Sequence, residues 1–78
     1  METRASYGMT IKILEEESKK EKTFFLTRAE EENWEENKIS MYHPIGKALF
    51  SRTVGNVVQV EDDQGQTKHY RILEIEPT

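Results

Sequence analysis

The sequence predicts an α+β fold, an antiparallel β-sheet packed on one short helix. Three observations carry the prediction. Met9, Ile11 and Ile13 alternate with Thr10 and Lys12, and Val58 and Val60 alternate with Gln59 and Glu61, the period of two that marks strands with one buried face. Pro44 is followed by Ile45, Ala48 and Leu49 at helical spacing. Asp62-Asp63-Gln64-Gly65 separates two apolar stretches as a hairpin turn would.

The elements follow in order. The first strand runs through Met9 to Ile13, and the charged run Glu15 to Glu21 interrupts it before Lys22 to Thr27 resumes as a second strand through Phe24, Phe25 and Leu26. Arg28 to Asn37 is almost wholly charged around Trp34 and is expected to be irregular or a single helical turn, with Trp34 either a lid on a thin core or an interface anchor. Lys38 to Met41 brings back alternation as a short strand. Pro44 then opens the one convincing helix, because proline is favoured in a first turn where its missing N–H would have had no partner. Gly46 inside that helix costs up to about 1 kcal/mol relative to alanine, so either something packs close to it or the helix is short. Val54-Gly55-Asn56 reads as a turn and Val57 to Glu61 as a strand. Tyr70 to Ile75 is apolar on both faces, which suggests a central strand or a bulge.

A chain of 78 residues makes at most one domain with a thin core. Residues 1–7 are expected to be a flexible lead-in and residues 8–77 a single domain. With 35% hydrophobic and 33% charged residues the composition is that of a small soluble domain, and it is expected in the cytoplasm as a monomer. The absence of cysteine excludes a disulfide framework, a thiolate nucleophile and a cysteine zinc site. No apolar run is long enough for a membrane span. A formal charge of −4 argues against direct nucleic-acid binding, whose affinity comes largely from Lys and Arg displacing counterions.

Candidate chemistry is sparse. Ser6, Ser18, Ser40 and Ser51 lack a nucleophile-elbow context, and His43 and His69 have no metal-ligand spacing. Gly8, Gly46, Gly55 and Gly65 are too dispersed for a phosphate-binding loop, and Glu61 to Gly65 lacks the alternation and length of a calcium loop. Glu30 to Glu32 and Glu35-Glu36 read as exposed runs rather than catalytic carboxylates held in a cleft. The residues by themselves indicate a small α+β domain that is not an enzyme, with no cofactor and no metal.

Two linked stretches resemble a known family. Lys38 to Phe50, KISMYHPIGKALF, is similar to the pattern of the Gre transcript-cleavage factors in which GKIS is followed by SPIGRALLG. Val54 to Glu76, VGNVVQVEDDQGQTKHYRILEIE, resembles that family's VGDEVEV…GG…YEILEIE, and Tyr7 to Thr27 resembles the strand pair that opens the same domain. The resemblance is to the C-terminal domain and implies its FKBP-like fold. It further implies docking on the β′ rim of bacterial RNA polymerase near the secondary channel. The family's acidic catalytic tip sits on an N-terminal coiled coil for which no heptad stretch precedes Tyr7, so docking without cleavage stimulation is expected. The family's docking loop reads Asp-Ser-Pro where this chain has Tyr42, His43 and Pro44; the proline matches, the acid and serine do not. The resemblance places partner-binding residues at Tyr42, His43, Pro44 and Lys47. Two alternatives are an FKBP-like peptide-binding or prolyl isomerase module, and a regulator of nucleoside diphosphate kinase like the Gre-related proteins that share this domain.

Overall fold

The computed structural model describes residues 3–77. Five strands and one helix are arranged as β1 (Met9–Glu15), β2 (Lys20–Thr27), β3 (Lys38–Ser40), α1 (Pro44–Leu49), β4 (Val57–Glu61) and β5 (Thr67–Pro77), with single 3-10 turns at Ala29–Glu31 and Trp34–Glu36 between β2 and β3. One sheet holds all five strands in the order β3-β2-β1-β5-β4. Three neighbouring pairs are antiparallel.

The α+β class holds, with one departure from a wholly antiparallel sheet: β3 runs parallel to β2, Leu26 opposite Ile39. Residues 28–37 do not make a hairpin. They form a crossover, built from the two 3-10 turns, that brings the chain back in the original direction, which a parallel pair requires. Asn37 closes the second turn in the left-handed region, at φ 59°, a conformation asparagine tolerates better than most residues.

The strands around β1 are longer than alternation alone indicated. Glu15, Lys20 and Glu21 belong to the ladder, Glu15 lying opposite Lys20, and the two acids find partners across it: Lys12 Nζ lies 3.2 Å from Glu21 Oε1, and the carboxylate of Glu15 lies within 4.0 Å of both Lys22 and Lys68. β5 is both of the things its two-sided apolar pattern suggested. It lies inside the sheet between β1 and β4, and it carries a bulge at Leu73, where Lys12 pairs with Glu74 but Ile13 pairs with Ile72.

The core is the layer between the inner face of the sheet and α1. Ile11, Ile13, Leu26, Ile39, Leu49 and Ile72 are its most deeply buried side chains. Ala5 joins it with no exposed surface, and the chain there is fixed by Ala5 N–H donating to Arg52 O at 2.8 Å and Ser51 N–H donating to Ala5 O at 2.8 Å. Within the lead-in expected over residues 1–7, Arg4 and Ala5 are thus bonded to residues just after α1, Arg4 Nη1 donating to Ser51 O at 3.0 Å. Residues 1 and 2 of that expectation lie outside the described residues.

Candidate partner-docking surface

The residues singled out by sequence sit where β3 hands over to α1, and Ser40 organises that junction. Its side chain is 1% exposed. Both its N–H and its hydroxyl donate to Glu32 Oε1, at 3.0 and 3.1 Å, while its hydroxyl oxygen accepts from Tyr42 N–H at 3.2 Å and its carbonyl accepts from His43 N–H at 3.1 Å. A buried polar group with every bond made holds its neighbours in one geometry. Here it fixes the loop from Met41 to His43.

α1 lies directly on that loop, and Gly46 is the reason it can. A Cβ at position 46 would fall 2.0 Å from Ser40 O and 2.9 Å from Ser40 C. Both sequence-level explanations of Gly46 hold: the helix is short, and backbone packs against the glycine. Pro44 occupies the first turn as expected, and His43 is the N-cap, its Nδ1 accepting from Ile45 N–H at 3.0 Å.

His43, placed among the partner-binding residues by the resemblance, is 8% exposed. Trp34 covers it, the two rings meeting edge to face with centroids 3.9 Å apart. Burial lowers the pKa of His43 below its ordinary 6.5, against the pull of Glu32 and Asp63, which favour the imidazolium. A neutral ring is what the cap needs, because Nδ1 can accept only when it carries no proton.

The other sequence-derived residues face water. Tyr42 is 80% exposed, and Pro44 and Lys47 are exposed beside it. Trp34, 65% exposed, lies against His43, and Met41, 37% exposed, precedes Tyr42 in the chain. The sequence-derived set thus divides: Tyr42, Pro44 and Lys47 are exposed, and His43 is buried and caps α1. Sequence reasoning missed Ser40 and Glu32. Ser40 lies within the quoted KIS stretch, but nothing local distinguishes Glu32 from its neighbouring glutamates. Only the crossover brings it to Ser40.

Beside Trp34 lies a depression of about 180 Å³ walled by Pro44, Ile45, Val60 and Tyr70, with Asp62 and Asp63 on its rim. Burial raises the Tyr70 phenol above its ordinary pKa of 10.0. Among the described residues no group of His, Asp and Glu is placed to hold a metal ion, and no helix is long and apolar enough to cross a membrane.

The relatives of this chain carry the same unit. Transcription elongation factor GreA of Thermoanaerobacter pseudethanolicus is 40% identical over 72 residues, covering 92% of this chain and 45% of that protein. GreA of Agrobacterium fabrum is 31% identical over 74 residues, covering 95% of this chain and 46% of that one. The chain spans just under half the length of these curated relatives. Among solved structures, a GreA/GreB elongation factor from Nitrosomonas europaea superposes with a TM-score of 0.80 at 24% identity over 97% of this chain and 62% of that one. The Gfh1 protein of Thermus thermophilus superposes with a TM-score of 0.81 at 23% identity over 96% of this chain and 49% of that one. The five-stranded sheet closed by one short helix is therefore a shared fold. The model of the family described as "Transcription elongation factor, GreA/GreB, C-term" matches residues 1–77, and with these relatives it establishes that the chain belongs to the GreA/GreB family through that family's C-terminal domain.

Proposed function

We propose that this domain is a docking module that binds bacterial RNA polymerase at the β′ rim near the secondary channel, and that these residues by themselves do not stimulate transcript cleavage. The observation that carries the reading is the β3–α1 junction. Tyr42 stands 80% exposed on a loop whose backbone is fixed by Ser40, Glu32 and the His43 cap, with Pro44 and Lys47 beside it. A rigid aromatic side chain loses little conformational freedom when a partner covers it, which is why tyrosine is enriched at interfaces. The family's acid is replaced by Tyr42, so an apolar contact takes the place of a charged one. Glu32, in the acidic run, is engaged in holding Ser40. Lys47 adds a cation with no salt-bridge partner among the described residues. The setting is the cytoplasm, and no enzymatic activity is proposed.

The test compares capture of purified core RNA polymerase by the wild-type chain and by Tyr42→Ala. Truncating an exposed anchor leaves the fold intact and is expected to weaken binding by about tenfold or more, the loss of a hot-spot residue. Capture by the wild type with no change in the variant places the contact elsewhere, and no capture by the folded wild type rejects the reading.

A second reading has an observation of its own. The depression beside Trp34, with Tyr70, Val60 and Ile45 in its walls, has the apolar lining of a peptide-binding site. Catalysed isomerisation of a proline peptide that is lost in Trp34→Ala would favour it over polymerase docking.

A further inference from the structure

The two edges of the sheet are treated differently. At the β3 edge the outer backbone is covered: Asn33 and Lys38 exchange N–H···O bonds of 2.9 Å in both directions, and Ser40 N–H donates to Glu32 Oε1. At the β4 edge the outer backbone has no partner among the described residues. Its register identifies which groups are open. Ile72 N–H donates to Asn56 O at 2.9 Å at one end of the β4–β5 ladder, and Asp62 N–H donates to Gln66 O at 2.8 Å at the other. In an antiparallel pair the bonded positions alternate, so residues 56, 58, 60 and 62 bond inward to β5, and Val57, Gln59 and Glu61 turn their N–H and C=O groups outward. Such a row is a template for another strand unless something blunts it. β4 has no proline, no bulge and no covering segment; its exposed side chains are Val57, Gln59 and Glu61.

That open edge forms one wall of a groove whose other wall is α1 and the residues just after it, with Pro44, Lys47, Ala48 and Arg52 facing Val57 to Glu61. The charge of the groove runs against that of the chain. The molecule carries −4, yet the groove brings together two cations, Lys47 and Arg52, that have no salt bridge to any described carboxylate, as Arg4, Lys20 and Arg28 have none elsewhere; Arg52 Nε donates to Ala48 O at 3.4 Å. Glu61, at the far end of β4, is the groove's one acid.

We infer that the β4 edge and the α1 groove together bind an extended acidic peptide segment of a partner protein, which adds to the sheet as a sixth strand. Main-chain bonds to Val57, Gln59 and Glu61 supply the pairing, and alternate side chains supply the selectivity. Because neighbouring residues of a strand point to opposite faces, every second residue of the guest faces α1, and these are the carboxylates that meet Lys47 and Arg52. The residues between them lie on the opposite face, beside the half-exposed Val57, and are apolar or β-branched. Single-stranded nucleic acid is disfavoured, because it has no peptide backbone to pair with the outward row of N–H and C=O groups. This site does not depend on the polymerase reading: it is defined by the chemistry of the guest, whichever protein carries it.

The test titrates the isotope-labelled full chain with a short, end-blocked peptide alternating valine and glutamate, and with a twin carrying lysine for glutamate. The expected result is a shift and slowed exchange of the Val57, Gln59 and Glu61 amides with the glutamate peptide, and binding at least about tenfold weaker for the lysine twin. In the double variant Lys47→Glu with Arg52→Glu the preference inverts, a gain of binding that misfolding could not produce. Equal binding of both peptides, shifts confined to other residues, or displacement by an oligonucleotide overturns the inference. So do shifts of the same amides that depend on protein concentration alone, which would make the occupant a second copy of the chain.

Discussion

Gly46 reverses the ordinary arithmetic of a glycine in a helix. Alanine would favour the helix by up to about 1 kcal/mol. With a Cβ placed 2.0 Å from Ser40 O, however, Gly46→Ala must push α1 off the β3–α1 loop, and overpacking against backbone costs about 1–3 kcal/mol, at the upper end for so close an approach. Urea unfolding of the variant is expected to show net destabilisation; a more stable protein would mean the helix does not sit on this backbone. Ser40→Ala leaves Tyr42 N–H and the carboxylate of Glu32 each short of a bond, a loss of about 1–3 kcal/mol by the same measurement. His43 contributes a pH dependence whose sign is fixed by its cap. Its folded pKa is lowered, so the stabilisation is fully present above the unfolded value of 6.5 and is lost as pH falls through the folded value. Unfolding free energies should therefore drop on acidification from neutral pH, and the slope should flatten in His43→Asn, whose side chain caps without titrating in that range. Glu17 acts at lower pH. It accepts from His69 N–H at 3.0 Å and meets His69 Nδ1 at 2.6 Å, contacts that hold its carboxyl near a pKa of about 2. Its contribution is present above 4.5, the ordinary carboxyl value, and fades as pH falls through 2. A carboxyl titration followed by NMR with a Glu17 midpoint near 4.5 would contradict that contact.

At the scale of elements, the parts of the fold legible in sequence were those specified by neighbours in the chain. β4 matched its expected bounds, Val57–Glu61, because apolar alternation and the flanking turns all lie within a few residues. α1 began at Pro44 for the same reason. β5 was legible as a strand in the interior of the sheet or with a bulge, since apolar residues on both faces permit either, and it is both. What stayed hidden depended on distant partners. The direction of β3 is set by how residues 28–37 fold, and that segment contains few apolar residues to reveal its path. Glu15 to Glu21 looked like a connection because charged residues rarely end a strand pair, yet cross-strand ion pairs extend it at both ends. Ala5 was invisible as a core residue because a lone alanine in a polar lead-in carries no period, and the backbone bonds to Arg52 and Ser51 that fix it come from distant parts of the chain.

At the scale of the whole molecule, Met41, Tyr42, Pro44 and Lys47 stand exposed along the β3–α1 junction with Trp34 against His43, and the geometry of that junction is held by Ser40, Glu32 and His43. Tyr42, Pro44 and Lys47, which came from the resemblance, are exposed. The inward role of His43 was not readable, because the ring that buries it comes from the crossover turn at Trp34. The division predicts two classes of variant. Substitutions at Tyr42 alter partner binding with little change in stability, and substitutions at Ser40 or Gly46 lower stability first and binding as a consequence. The most direct test of polymerase docking is photo-crosslinking to core RNA polymerase from a photoreactive residue placed at position 42, with the same residue at the exposed position 17 as the control. The account predicts a crosslink to the β′ subunit from position 42 and none from position 17; crosslinking from position 17 alone, or to a different subunit from position 42, would contradict it.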